Sequence, residues 1–172
     1  MKNQLGVLFA VGLLLVGIAS GRPQATSADI KTGTLLKRTS ENGFDNYSYA
    51  AFSFAVGGNG PEVQKQCRNN WDLLFGNSSL PDAFDVTMVT DDRSRIRDLG
   101  QFAWDDRFQV PTLSAYEEPE REPSVKAIEG HLYMVHSRDT YSDLYALFRV
   151  EKLDPGKSVE ITWKTIPRPK RP

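Results

Sequence analysis

The sequence predicts a mainly β protein: a single antiparallel sandwich or partly open barrel with one short helix at about residues 61–75. Three observations lead there. Residues 44–56, "FDNYSYAAFSFAV", alternate imperfectly with period two and are rich in aromatics, the pattern of a half-buried strand. The last third reads as three strands joined by short turns, an antiparallel meander. One stretch combines helical spacing with start and stop signals.

The chain begins "MKNQLGVLFAVGLLLVGIASGRPQA". A lysine, an apolar run from Leu5 to Ala19 and then small residues form the three-part pattern of a signal peptide. Removal of residues 1–21 on export is therefore expected. The run is shorter than the ~20 apolar residues that cross a bilayer. Residues 22–43 are polar and read as a flexible leader, with a short strand near Thr34–Lys37. A single β-rich domain is expected over 44–166.

Within that domain "GGNGP" ends the first strand. Asn59 or Gly60 can cap the helix, Pro61 suits its first position and Glu62 its first turn. Val63, Cys67, Trp71 and Leu74 then share one helical face, and Gly76 fits the left-handed stop. "AFDVTMVT", residues 83–90, reads as a strand, and another is expected near Gln101–Trp104. "VPTLSAYEEPEREPS" carries three prolines and four glutamates and reads as a surface loop. Strands follow over 125–136, 144–153 and 158–166, with "DPGK" as the last turn. Residues 167–172, "PRPKRP", form a basic, proline-rich tail that cannot join a ladder.

The 172 residues hold 21 basic and 22 acidic side chains, a formal net charge of −1. Loss of Lys2 leaves 20 against 22. Such a balance argues against a general nucleic-acid binder, which would show a basic face. Cys67 is the one cysteine, so no intramolecular disulfide can brace the domain. It reads as a buried thiol acting as a small hydrophobe.

Both histidines lie in "EGHLYMVHSRDTYSDLYALFRV", residues 129–150. On a strand, His131 shares a face with Glu129 and Tyr133, while His136 shares the other with Leu132 and Met134. The two imidazoles therefore cannot act as neighbouring ligands. His136 with Asp139 and Asp143 is the candidate metal cluster, since oxygen-rich turns suit calcium or magnesium. The competing reading is a plain hairpin with turn aspartates. "RSRIR" places Arg93, Arg95 and Arg97 on one side if extended, a row suited to carboxylate or sulfate groups on an anionic polymer. The competing reading there is a solvated edge strand. Tyr116 and Tyr141, in expected loops, are candidates to stack on sugar rings, with Trp71 and Trp163 assigned to the core.

No catalytic motif is complete. "PGKS" lacks the glycine a phosphate loop needs, because Glu151 stands at that position, and it leads into a strand. There is neither G-x-S-x-G nor H-E-x-x-H. The stretch "GHLYMVHSRDTYSDLYALFRVEKLDPGKSVEITWK" resembles the end of a group of uncharacterised secreted bacterial proteins. That resemblance implies an exported, β-rich protein and carries no catalytic residue. The expectation is an exported, periplasmic or extracellular, non-enzymatic binding module without cofactor. Its expected partner is a polysaccharide or an envelope protein rather than nucleic acid, with membrane contact confined to the signal peptide. The alternatives are a small, metal-assisted hydrolase and a structural subunit of an envelope assembly.

Overall fold

The computed structural model describes residues 30–41, 44–68, 70–76, 80–86, 93–104, 124–139 and 143–168. The signal-peptide segment, Tyr116, Tyr141, the glutamate-rich segment and the end of the basic tail lie outside them. Two antiparallel sheets pack face to face and do not close into a barrel, so the sandwich form of the expectation holds. The larger sheet has the order β1 (Lys31–Leu36), β11 (Ser158–Ile166), β10 (Asp143–Asp154), β9 (His131–Arg138), β7 (Arg95–Gln101). The smaller has the order β4 (Ala51–Phe52), β5 (Leu73–Phe75), β6 (Ala83–Asp85), β8 (Ser124–Lys126). A short pair, β2 (Thr39–Glu41) and β3 (Phe44–Asn46), stands apart.

The core between the sheets is aromatic. Phe148 stacks on Tyr133 at 5.0 Å between ring centres, and Phe84 meets Phe148 edge-on at 4.9 Å. Phe52, Phe54 and Trp163 form a second group of tilted and edge-on contacts. Such geometry adds about 0.5–1.5 kcal/mol per pair beyond area burial. Tyr133 also works as a tie. Its hydroxyl donates to the Lys126 carbonyl and accepts from the Ile128 amide, both at 2.9 Å, which fixes the passage from β8 in one sheet to β9 in the other.

Several expected elements take a different form. The helix, α1, spans Pro61–Cys67 and not 61–75. Gly60, Pro61 and Glu62 start it as read, but its left-handed end is Arg68, at φ 54°. Val63 and Cys67 still pack with Trp71 and Leu74, yet those two lie beyond the helix, and Leu74 sits in β5. Helical spacing and a turn back onto a strand can bring the same side chains together. Gly76, at φ 78°, ends β5 rather than the helix. Added bulk there would meet Lys37 and the Pro81 carbonyl at about 3 Å.

The described part of the expected leader, residues 30–41, belongs to the fold, and the short strand expected near Thr34–Lys37 is β1, over Lys31–Leu36. β1 pairs along its whole length with β11, so the domain begins by Lys31, not residue 44. The side chain of Asn59 bonds the Thr34 and Tyr49 carbonyls and covers part of this edge strand. The first expected strand is broken into β3 and β4 by a turn. The strand expected over 125–136 is two, parted at Gly130, where φ is 82°. The strand near Gln101–Trp104 is β7, which ends at Gln101. The last two strands and the Pro155-Gly156 turn lie where they were expected.

Candidate functional site

Register decides which side chains meet on the outer face of the larger sheet. Arg95 of β7 lies opposite His136 of β9, which lies opposite Tyr145 of β10, which lies opposite Ile166 of β11. Residues paired across strands share a face. One step toward the sheet's end, Arg138 faces Asp143. One step inward, Arg97 faces Met134 and then Leu147. Leu132, Met134, Tyr145 and Leu147 are buried on this outer face, packed with Leu99, Trp104 and Ile166. The central strands are therefore buried on both sides.

At the end of this face His136 Nε2 meets Asp143 Oδ1 at 2.9 Å. The imidazole also stacks on Tyr145, with ring centres 4.0 Å apart and planes 10° from parallel. Burial holds the His136 pKa below its usual value, against the pull of Asp143. The bond from His136 holds the Asp143 carboxyl below its usual range. The consistent state near neutral pH is a neutral imidazole donating its Nε2–H to an ionised carboxylate.

Arginines surround this pair. Arg138 and Arg168 lie within electrostatic reach of both partners. Arg93 joins them because its amide donates to the Arg138 carbonyl at 2.9 Å, while the Arg138 amide donates to Ser94 Oγ at 2.9 Å. Arg93, Arg97, Arg138 and Arg168 are exposed and Arg95 is half-buried. Of the three arginines singled out by sequence, Arg95 and Arg97 share the outer face of an edge strand, and Arg93 precedes that strand. Arg138 and Arg168 were missed, because only the register of separate strands brings them to the row.

The expected metal cluster comes together in part. His136 and Asp143 are paired, whereas Asp139 accepts a long 3.5 Å contact from Asn70 Nδ2. Among the described residues no group of three His, Cys, Asp or Glu side chains is placed to hold a metal ion. His131 does not pair with Glu129. It faces Asp98, at 3.0 and 2.9 Å to the two carboxylate oxygens, while Glu129 accepts from the Leu153 amide. Asp98 also accepts from the Gly100 amide at 2.8 Å, across the bulge at Leu99. An aspartate two residues before a glycine signals such a turn.

A second acidic group was overlooked altogether. Asp72 is 2% exposed and lies between the sheets. One oxygen accepts from the Phe54 amide at 2.7 Å, the Ala55 amide and Ser53 Oγ. The other accepts from Ser137 Oγ at 2.5 Å. Burial pushes its pKa up, and these bonds oppose that push. With its oxygens so occupied, Asp72 is a brace joining the β4–β5 region to β9.

At the far end of the outer face, Trp104 donates to Thr162 Oγ1 at 2.6 Å and lies 4.9 Å from the Lys164 ammonium. Arg149 Nε donates to the Phe102 carbonyl, and Arg149 also pairs with Glu151. These contacts fasten the chain after β7 across β10 and β11. Neither protein-family models nor curated proteins nor solved structures yield a match to this chain.

Proposed function

We propose that this protein is an exported, non-enzymatic binding module that holds an anionic polymer on the arginine row at the end of its larger sheet. One observation carries the reading. A chain of formal net charge −1 gathers Arg93, Arg95, Arg138 and Arg168 about one His–Asp pair, with Arg97 one step further along β7. Guanidinium groups match carboxylate and sulfate oxygens in two-pronged geometry. Neighbouring strands lie ~4.8 Å apart, so a row crossing from β7 past β11 spans on the order of 14 Å. That length suits a polymer better than a single small anion. Export is supported by Lys2, the apolar run and the small residues after it.

The test is retention on immobilised hyaluronan as salt is raised. The protein is expected to bind at low salt and elute as screening grows. The double variant Arg95→Glu, Arg138→Glu should pass straight through with an unchanged circular dichroism spectrum. Equal retention of the variant would remove the reading.

A further inference from the structure

We infer that the row selects a linear anionic polysaccharide whose charges are spaced apart, and discriminates against densely charged polyanions such as polyphosphate or a nucleic-acid strand. The inference rests on the binding site proposed above and names its ligand class.

The observation behind it is the place of Asp143. This carboxylate stands inside the arginine row, not at its rim. Arg138 lies opposite it in register, Arg168 lies within electrostatic reach, and Arg95 lies on the far side of His136. Its side chain is 53% exposed, so it meets whatever lies on the row. The groups facing the pair are Arg95 from β7, Arg138 from β9, Tyr145 from β10 and Arg168 beyond β11. His136 donates to one oxygen of Asp143 and leaves the ionised form in place.

An anionic group seated over Asp143 would meet a like charge, whereas one to either side meets guanidinium. A ligand that fits must put charge at both flanks and an uncharged unit between them. A sugar ring does this, because its hydroxyls can donate to the carboxylate that an anion would avoid. A nucleic-acid strand carries one charge per ~3.4 Å and cannot cross the row without placing one over Asp143. A polysaccharide with one carboxylate per disaccharide can.

The experiment compares three probes of matched contour length at fixed ionic strength, by fluorescence anisotropy. They are a hyaluronan oligosaccharide, inorganic polyphosphate and single-stranded oligothymidylate. The protein should bind hyaluronan at least tenfold more tightly than either dense polyanion. In Asp143→Asn the like charge is gone while the side-chain shape is kept. Polyphosphate and oligothymidylate should then gain about tenfold, while hyaluronan loses the charged acceptor that its hydroxyls met, so the preference collapses. Equal or tighter binding of the dense probes by the unaltered protein overturns the inference while leaving the site intact. So does a preference that survives Asp143→Asn. Failure of all three probes to bind removes the site itself, and the inference with it.

Discussion

Two aspartates show how differently one fold can use the same side chain. Asp72 lies between the sheets, and burial raises its pKa despite four hydrogen bonds. Asp143 stands at the end of the outer face, and the bond from His136 lowers its pKa. The first has its oxygens filled by the protein and joins distant parts of the chain. Among the described residues the second meets the protein through one side-chain bond, from His136, and its side chain is otherwise largely exposed. A carboxylate saturated by its own chain is architecture; one held ionised in a row of arginines is positioned to meet something else.

The sharpest way to break this contrast is to delete the buried partner. Asp72→Ala strands the Phe54 amide and the Ser53 and Ser137 hydroxyls in the interior, where each unmet group costs about 1–3 kcal/mol. With partial relaxation the total should reach about 3–5 kcal/mol, as when one member of a buried charged network is removed. Urea denaturation measures it, and a loss below about 1 kcal/mol would show that Asp72 is not a brace. Asp143→Ala, on the surface, should cost far less in the same assay.

The pH dependence separates the two groups in sign. In the unfolded chain both aspartates titrate near 3.8. Folding raises Asp72, so its contribution to stability is full below that value and is lost as pH rises through its folded pKa. Folding lowers Asp143, so its contribution is present above 3.8 and is lost as pH falls through its folded pKa. Urea midpoints between pH 3 and 8 should show Asp72→Asn losing the first dependence and Asp143→Asn the second. In Asp72→Asn the amide oxygen can take the backbone donors, and its nitrogen can donate to Ser137. Asp72→Asn should therefore gain stability relative to the unaltered protein as pH rises. A relative stability that falls as pH rises would reverse the assignment.

Much of this contrast was hidden in the sequence, for definite reasons. The fold class and the last two strands were legible because alternation and turn residues are local signals. Asp72 was not, because "WDLLF" sits where Val63, Cys67, Trp71 and Leu74 fit a helical face, and that face passes over Asp72. The stop at Arg68 depends on a left-handed residue that is not glycine, and such a residue carries weak sequence warning. Only the end of β1 reads as a strand, near Thr34–Lys37, because an edge strand with exposed Lys31, Thr32 and Thr34 has little apolar pattern to show. "LYALFRV" did carry a missed clue. A near-continuous apolar run fits a strand buried on both faces, and Tyr145 and Leu147 do face outward while Ala146 and Phe148 face the core. At the site, the sequence offered Arg95, Arg97, His136 and Asp143 as two unrelated groups. Only strand register joins them.

Replacing the imidazole tests the middle ground between brace and site. His136→Ala removes the stack on Tyr145 and the bond to Asp143. The stack is worth about 0.5–1.5 kcal/mol, and the exposed aspartate can turn to water, so a loss of about 1 kcal/mol is expected. His136→Phe keeps a flat ring on Tyr145 and should recover most of that stability. It cannot recover the bond, so the Asp143 pKa, followed by carboxylate NMR titration, should rise back toward 3.8. If His136→Phe is as unstable as His136→Ala, the hydrogen bond and not the stack is the stabilising contact.

The smallest effect is expected at the arginines, and its smallness is informative. Arg138 and Arg168 are exposed, and the bonds that place Arg138 are made by its backbone. Arg138→Thr keeps a residue suited to a strand, and Arg168→Ser lies beyond β11, so each should change stability by less than about 0.5 kcal/mol. The attraction of either arginine for the ionised Asp143 is worth little at so exposed a site. Yet each should weaken retention on hyaluronan, because each removes a guanidinium from the row. Side chains that are needed for binding and indifferent to folding are what a site predicts. A loss of stability of about 2 kcal/mol in either variant would mean that the arginines, like Asp72, are there to hold the protein together.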